Sequence, residues 1–372
     1  MAVSSVRAVP APGHDLRPRV EALLDVAGEA RSVLVCTHDN PDPDAIASAY
    51  ALGELLRVRT GATYTLAHGG VLGRAENRAM VRTLKIPLVP FARLDVDDLD
   101  GFDAVGLVDT QPGHGNHRVT REVVAGRRLL CIDHHPARTY EGTLAPDYAD
   151  VGGDYGSTST MLTCYLDAAD VPFDAGVATA LFYGIKSDTR DLGREVGDVD
   201  VWAYQHLVAH TDMGVVSQIE HPRLPRGYFA ALSSAVRRAR AFDDVVVCDL
   251  GSVYVPDLVA ETADWLLLAE GIRWSIVVGE HKNDVFSSIR VHDRRFSAGK
   301  LVREVVAAWP TGSAGGHGSM AGARIALDPA MPPPARAKLR RRLLHELARA
   351  AGVPQGARPR PFTADIGAAA PE

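Results

Sequence analysis

Four short apolar runs, residues 32–36, 63–67, 104–108 and 128–132, recur in the first third of the chain, and segments 45–58 and 76–84 between them carry apolar residues at helical spacing. Strands that alternate with helices imply βαβ crossovers and a largely parallel sheet covered by helices. Three more helical patterns follow at 157–168, 175–186 and 199–209, and a segment with two prolines and mixed charge, 210–225, reads as a connection. Beyond it the pattern starts again. A helix over 228–241, a strand over 245–250, a helix over 257–269 and two β runs over 274–279 and 285–292, turning at Asn283-Asp284, are followed by a helix over 299–308, a glycine-rich stretch over 312–322, a strand over 323–327 and a basic helix over 334–351. The expectation is an α/β protein of two domains. An N-terminal, mostly parallel sheet flanked by helices spans 20–209, and a smaller α/β domain spans 226–351, since 372 residues exceed one small core. Residues 1–19 and 352–372, rich in Pro, Ala and small residues, read as flexible.

Charge narrows the range of partners. Forty basic against 46 acidic residues leave a net charge of −6, which disfavours long nucleic acid, whose binding rests on many phosphate contacts. A short anionic ligand in a local basic pocket remains compatible. The four cysteines, Cys36, Cys131, Cys164 and Cys248, lie singly in apolar segments and read as buried thiols in a reducing compartment. No apolar run approaches the ~18–20 residues of a membrane span, and the N-terminus lacks a signal-peptide stretch. The expected location is therefore cytoplasmic, with no membrane partner.

What distinguishes the strands is how they end. The first runs into His38, Asp42 and Asp44, the third into Asp109, the fourth into Asp133-His134-His135, and Asp188 follows a helical apolar segment. In open α/β sheets ligands collect at the carboxyl ends of the strands. Asp42 and Asp44 taken alone suit a turn and a helix start. A carboxylate closing a buried strand, however, needs a partner, because an unpaired buried charge is expensive. On His38, Asp42, Asp44, Asp109, His134 and Asp188, four carboxylates offset two divalent cations. Two metals roughly 3.5–4 Å apart activate water at neutral pH and clamp a phosphoryl group for in-line attack. Mixed imidazole and carboxylate donors favour Mn²⁺ over Mg²⁺, with Zn²⁺, Fe²⁺ or Co²⁺ as alternatives.

These residues resemble the DHH phosphoesterase superfamily in an ordered set of motifs: His38-x-x-x-Asp42-x-Asp44, Asp109-Thr110, Asp133-His134-His135 and Asp188-Thr189. The stretch Gly315-Gly316-His317-Gly318-Ser319-Met320-Ala321-Gly322 resembles the glycine-rich motif of the DHH-associated domain. The resemblance implies that His38 and Asp42 hold one metal, that Asp44, His134 and Asp188 hold the other, and that Asp109 bridges them. It implies that His135 meets the scissile phosphate or the leaving oxygen, with Asp133 orienting a histidine. Gly315, Gly316 and His317 would cradle an anion, and Arg290 would clamp a phosphate or carboxylate.

Length and layout are most similar to the nanoRNase type, which degrades very short oligonucleotides and in some members dephosphorylates 3′-phosphoadenosine 5′-phosphate or cleaves linear dinucleotides. A short oligonucleotide or small nucleotide is thus the expected substrate. A non-nucleotide phosphate, such as pyrophosphate or polyphosphate, and an idle nucleotide-binding module are the alternatives. A homodimer, and two lobes closing on substrate, are family-level expectations. Met320 stands where the motif usually has Ala, and Arg190-Asp191-Leu192 replaces the usual Gly and aromatic after Asp188-Thr189. Arg74 and Arg78, one turn apart on an expected helix start, are candidates to grip a second phosphate.

Overall fold

The computed structural model describes residues 15–137, 144–293 and 295–364, with the side chains of Val96, Asp97 and His317 outside that description. The chain divides into two compact units between Pro222 and Arg223.

The first unit is built on six strands, β1 (Ser32–Cys36), β2 (Thr63–His68), β3 (Leu88–Pro90), β4 (Ala104–Val108), β5 (Arg128–Asp133) and β6 (Tyr148–Val151). They lie in the order β3-β2-β1-β4-β5-β6, every pair parallel. The order reverses between β1 and β4, and in sheets of this kind ligands bind outside the carboxyl ends at such a switch point. Alternation along the strands sorts side chains to two cores. Val33, Val35, Leu130 and Ile132 face one, and Leu34, Cys36, Leu129 and Cys131 face the other.

Nine helices belong to the described residues of this unit: α1 (Arg17–Ala27), α2 (Pro43–Thr60), α3 (Ala75–Thr83), α4 (Val96–Asp100), α5 (Arg121–Val124), α6 (Thr158–Ala168), α7 (Ala175–Asp188), α8 (Asp198–Val208) and α9 (Met213–Glu220). Helix α2 is apolar nearly all round, with twelve of its residues buried, as befits a helix packed between the sheet and other helices. Gly184 on α7 makes that packing close, since a Cβ there would stand 2.2 Å from Ser159 Oγ on α6.

The segment 210–225, expected to be a connection, instead contains α9, whose Val216 and Ile219 are buried in the first core. Only eight residues long and followed closely by Pro222 and Pro225, it carries too short a period to announce itself. The lead-in also orders earlier than expected: α1 begins at Arg17, and Arg19 pairs with Asp150 at 2.9 Å.

The second unit holds α10 (Arg226–Arg238), β7 (Arg240–Phe242), β8 (Val245–Ser252), α11 (Asp257–Leu267), β9 (Trp274–His281), β10 (Asp284–Val291), α12 (Ala298–Val306), β11 (Gly312–His317), β12 (Met320–Ala326), α13 (Pro333–Ala350) and β13 (Arg360–Pro361). Its seven strands run β11-β12-β10-β9-β8-β7-β13, antiparallel except for β8 with β9. Helices α12 and α13 cover one face, and α10 and α11 the other.

The glycine-rich stretch folds as a β-hairpin: Gly315 pairs with Gly322 and Gly316 with Ala321. Gly316 is required, because it sits at φ 127° and a Cβ there would lie 2.4 Å from the Met320 carbonyl oxygen. The stretch after Gly352, expected to be flexible throughout, contributes β13, whose backbone pairs with β7. Residues 1–14 and 365–372 lie outside the described residues. All four cysteines are buried, and no helix among the described residues is long and apolar enough to cross a membrane.

Candidate metal centre

The loops leaving β1, β4 and β5 and the end of α7 bring the sequence clusters together at the carboxyl end of the first sheet. Asp42 is the N-cap of α2, its Oδ1 accepting the Ala45 N–H at 3.0 Å, with Pro43 in the first turn. Asp44, one residue further in, is buried. Its Oδ2 accepts the Thr158 N–H at 2.8 Å and its Oδ1 the Ser159 N–H at 2.7 Å, so this carboxylate caps the start of α6.

Asp109 is the hub. It follows β4 at φ 55°, a left-handed conformation that a non-glycine residue holds only when its surroundings compel it. Its Oδ2 lies 3.4 Å from His38 Nε2, while its Oδ1 lies 3.6 Å from His134 Nε2 and from His135 Nδ1, and accepts the Thr158 hydroxyl at 3.0 Å. Three sets of donor atoms fall within 4.8 Å of one another: His38, Asp42 and Asp109; Asp44, His134 and Asp188; and Asp109, His134 and His135.

Two further observations bear on whether these residues suit a metal. His38 Nδ1 lies 2.9 Å from the Asp39 carbonyl and His134 Nδ1 lies 3.3 Å from the Tyr155 carbonyl. A carbonyl only accepts, so each Nδ1 donates and each Nε2 turns its lone pair toward the carboxylates, the orientation of a ligating histidine. The electrostatics also want cations. Burial and then the charges of Asp109, Asp188 and Asp42 push the Asp44 carboxyl well above its ordinary value. Burial raises Asp188 to about 6, with Asp42 and Asp109 adding to it against His134 and Arg194. Asp188 also ends α7, where the helix carbonyls disfavour an anion.

Where partners are at hand the shifts reverse. Burial opposes the His38 imidazolium, yet the Asp109 hydrogen bond and the Asp42 charge lift it to about 9. Burial likewise opposes ionisation of Asp109, but His38 and the two neighbouring histidines hold it well below the carboxylate range. The donor set therefore fits divalent cations, and the protons on the histidines stand in for them.

Behind the donors, Asp133 is fully buried and accepts from His135 Nδ1 at 2.8 Å and from Gln111 Nε2 at 2.9 Å. Burial opposes the His135 cation, but Asp133 and then Asp109 raise it to about 10. Gln111 gave no signal in the sequence beyond standing two residues after Asp109. Arg194, which donates to Asp188 Oδ1 at 2.9 Å, gave none.

The remaining candidates lie elsewhere in the hydrogen-bond network. Arg74 is the extended N-cap residue of α3, 3.6 Å from Glu76, and Arg78 donates to the carbonyls of Leu72 and Gly73. The two do lie one turn apart at the helix start, the Arg78 N–H donating to the Arg74 carbonyl at 3.2 Å. Arg290, on β10, is buried and donates to Asp264 at 2.6 Å, to Ser288 Oγ at 2.7 Å and to the Ile289 carbonyl at 3.1 Å. A buried guanidinium needs such partners, and these lie within its own unit. Gly315 and Gly316 sit on β11, and the His317 side chain is outside the described residues.

A stretch of 296 residues is 32% identical to an uncharacterized protein of Methanocaldococcus jannaschii, covering 79% of this chain and 58% of that protein. The chain thus spans somewhat more than half the length of this curated relative. The crystal structure of an exopolyphosphatase-related protein from Bacteroides fragilis is similar with a TM-score of 0.70 at 13% identity, covering 90% of this chain and 98% of that one, a likeness of fold. Residues 32–185, which contain His38, Asp42, Asp44, Asp109 and the Asp133-His134-His135 triplet, match the sequence model of the DHH family, N-terminal domain.

Proposed function

We propose that the first unit is a two-ion phosphoesterase centre that hydrolyses short oligonucleotides or small nucleotides, in the manner of the nanoRNase type. The observation that carries this reading is the shared position of Asp109, whose two oxygens face the His38 and Asp42 donors on one side and His134 on the other. His38 and Asp42 would hold one ion, Asp44, His134 and Asp188 would hold the second, and Asp109 would serve both. Ions there, best matched by Mn²⁺, lower the pKa of bound water and offset charge developing on the phosphoryl oxygens.

The chain's own residues supply orientation and a proton. Asp44 is fixed by two backbone N–H groups, and His38 and His134 are fixed by carbonyls, so the donors are set before anything binds. Asp133 holds the His135 ring through Nδ1 and supports its positive charge. His135 thereby becomes the group that protonates the leaving oxygen. Asp133→Asn is expected to lower turnover about 10–100-fold, with a pH–rate profile whose basic limb moves to lower pH as His135 loses that support.

Purified protein with Mn²⁺, offered 5′-phosphorylated dinucleotides, longer RNA, 3′-phosphoadenosine 5′-phosphate, cyclic dinucleotides, pyrophosphate and polyphosphate, tests the reading. Turnover of dinucleotides or small nucleotides with little action on longer RNA is the expected result. Hydrolysis confined to pyrophosphate or polyphosphate, or nucleotide binding without hydrolysis, would replace it.

A further inference from the structure

Immediately after Asp188 the backbone enters a left-handed turn: Arg190, Asp191 and Leu192 stand at φ 50°, 56° and 62°. Glycine usually fills single positions of this kind, and three non-glycine residues in succession are unusual. The turn is held from several sides. The Asp191 N–H donates to the Lys186 carbonyl at 2.9 Å, and those of Gly193 and Arg194 donate to the Thr189 carbonyl at 2.9 and 2.8 Å. The Leu192 N–H reaches Thr189 Oγ1 at 3.1 Å. Lys186 pairs with Asp191 from below and with Glu220 of α9 at 3.0 Å.

The result of this geometry is the placement of one side chain. Arg194 folds back and donates through Nη2 to both the backbone carbonyl of Asp188 and its carboxylate Oδ1, the latter at 2.9 Å. The other carboxylate oxygen, Oδ2, lies 3.4 Å from His134 Nε2. We infer that Arg194 is a positioning residue, which pins Asp188 by one oxygen so that the other alone is presented beside His134 and Asp44. The inference rests on the two-ion reading given above.

Arg194 sits on the oxygen turned away from His134, so it does not occupy the donor position itself. A cation at this helix end also offsets the carbonyls that would otherwise oppose an anionic Asp188. The left-handed turn is the device that brings a residue six positions further along the chain back to the helix terminus.

Calorimetric titration of metal-free wild-type protein, Arg194→Gln and Arg194→Lys with Mn²⁺ decides the matter, alongside the melting temperature of each metal-free protein. Arg194→Gln should weaken one Mn²⁺ step about 10–100-fold, and Arg194→Lys, which keeps the charge but not the guanidinium's reach and shape, should recover part of that loss. A purely structural arginine would lower the metal-free melting temperature and leave the Mn²⁺ affinity of the folded protein unchanged. Unchanged or tighter binding by Arg194→Gln overturns the positioning role, and should Arg194→Gln not fold, wild-type affinity in Arg194→Lys does the same. Wild-type protein that binds no Mn²⁺ would overturn the two-ion reading itself, a result distinct from either.

Discussion

Asp109→Asn is expected to abolish hydrolysis, with turnover reduced by about 10³-fold or more. The substitution keeps the shape of the side chain and an oxygen for the Thr158 hydroxyl, but it removes the charge that faces both donor groups. The same change should release the histidines. His38 is held near 9 chiefly by Asp109 acting against burial, so in the variant its imidazole titrates closer to neutrality. Proton NMR of the ring resonances in metal-free protein would follow this independently of activity. Full activity in Asp109→Asn would be incompatible with a carboxylate shared between two ions.

The second large effect concerns stability. Metal-free protein should be destabilised as pH rises, and Mn²⁺ should invert the trend. His38 and His135, raised from 6.5 to about 9 and about 10, bind protons more tightly folded than unfolded. The stability they contribute is therefore complete below 6.5 and is lost as pH climbs through 9 and 10. Asp188, raised from 3.8 to about 6, acts in the same direction at lower pH, since the folded state again holds the extra proton.

Asp109 works oppositely. Its depressed carboxyl supports the fold above its ordinary 3.8, and that support fades as pH falls below it. Mn²⁺ takes the place of the histidine protons and binds only deprotonated ligands, so its stabilisation grows with pH. At a free concentration a thousandfold above Kd it contributes about 4 kcal/mol, or about 5 °C in melting temperature for a chain of this size. Differential scanning calorimetry at pH 6 and pH 9, with Mn²⁺ and with a chelator, checks both halves. A chelated protein more stable at pH 9 than at pH 6 would contradict the assignment of these shifts.

The framework was legible where local chemistry is unambiguous. The strands Ser32–Cys36 and Ala104–Val108 lie where the apolar runs placed them, because a buried parallel strand is a continuous apolar segment bounded by polar residues. The clusters that meet at the centre were visible for the related reason that each follows such a strand or, for Asp188, an apolar helix. Short or compositionally atypical elements were not. Tyr148–Val151 has four residues and alternates exposed with buried positions, and Gly312–His317 forms a strand from residues that disfavour one. Helix Met213–Glu220 hid just before two prolines in a stretch read as a connection.

Around the site, the groups that fix the donors are largely backbone: the Thr158 and Ser159 amides on Asp44, and the Asp39 and Tyr155 carbonyls on the histidines. Backbone groups carry no letter in a sequence, and the arrival of the Thr158 and Ser159 amides depends on α6 docking against α2. Arg194 was hidden for a different reason, since its contact exists only through a backbone conformation that its neighbours do not ordinarily adopt.

The strand order β3-β2-β1-β4-β5-β6 has a consequence for how the protein is made. The chain lays down its central strand first and then adds neighbours on either side, so His38 leaves the ribosome early and Asp188 only at the end of α7. Throughout that interval the nascent chain carries an incomplete set of donors, and no truncated product ending before α7 can assemble the whole cage. On the two-ion reading, ion capture would come late in synthesis, after the core that positions the donors has become available.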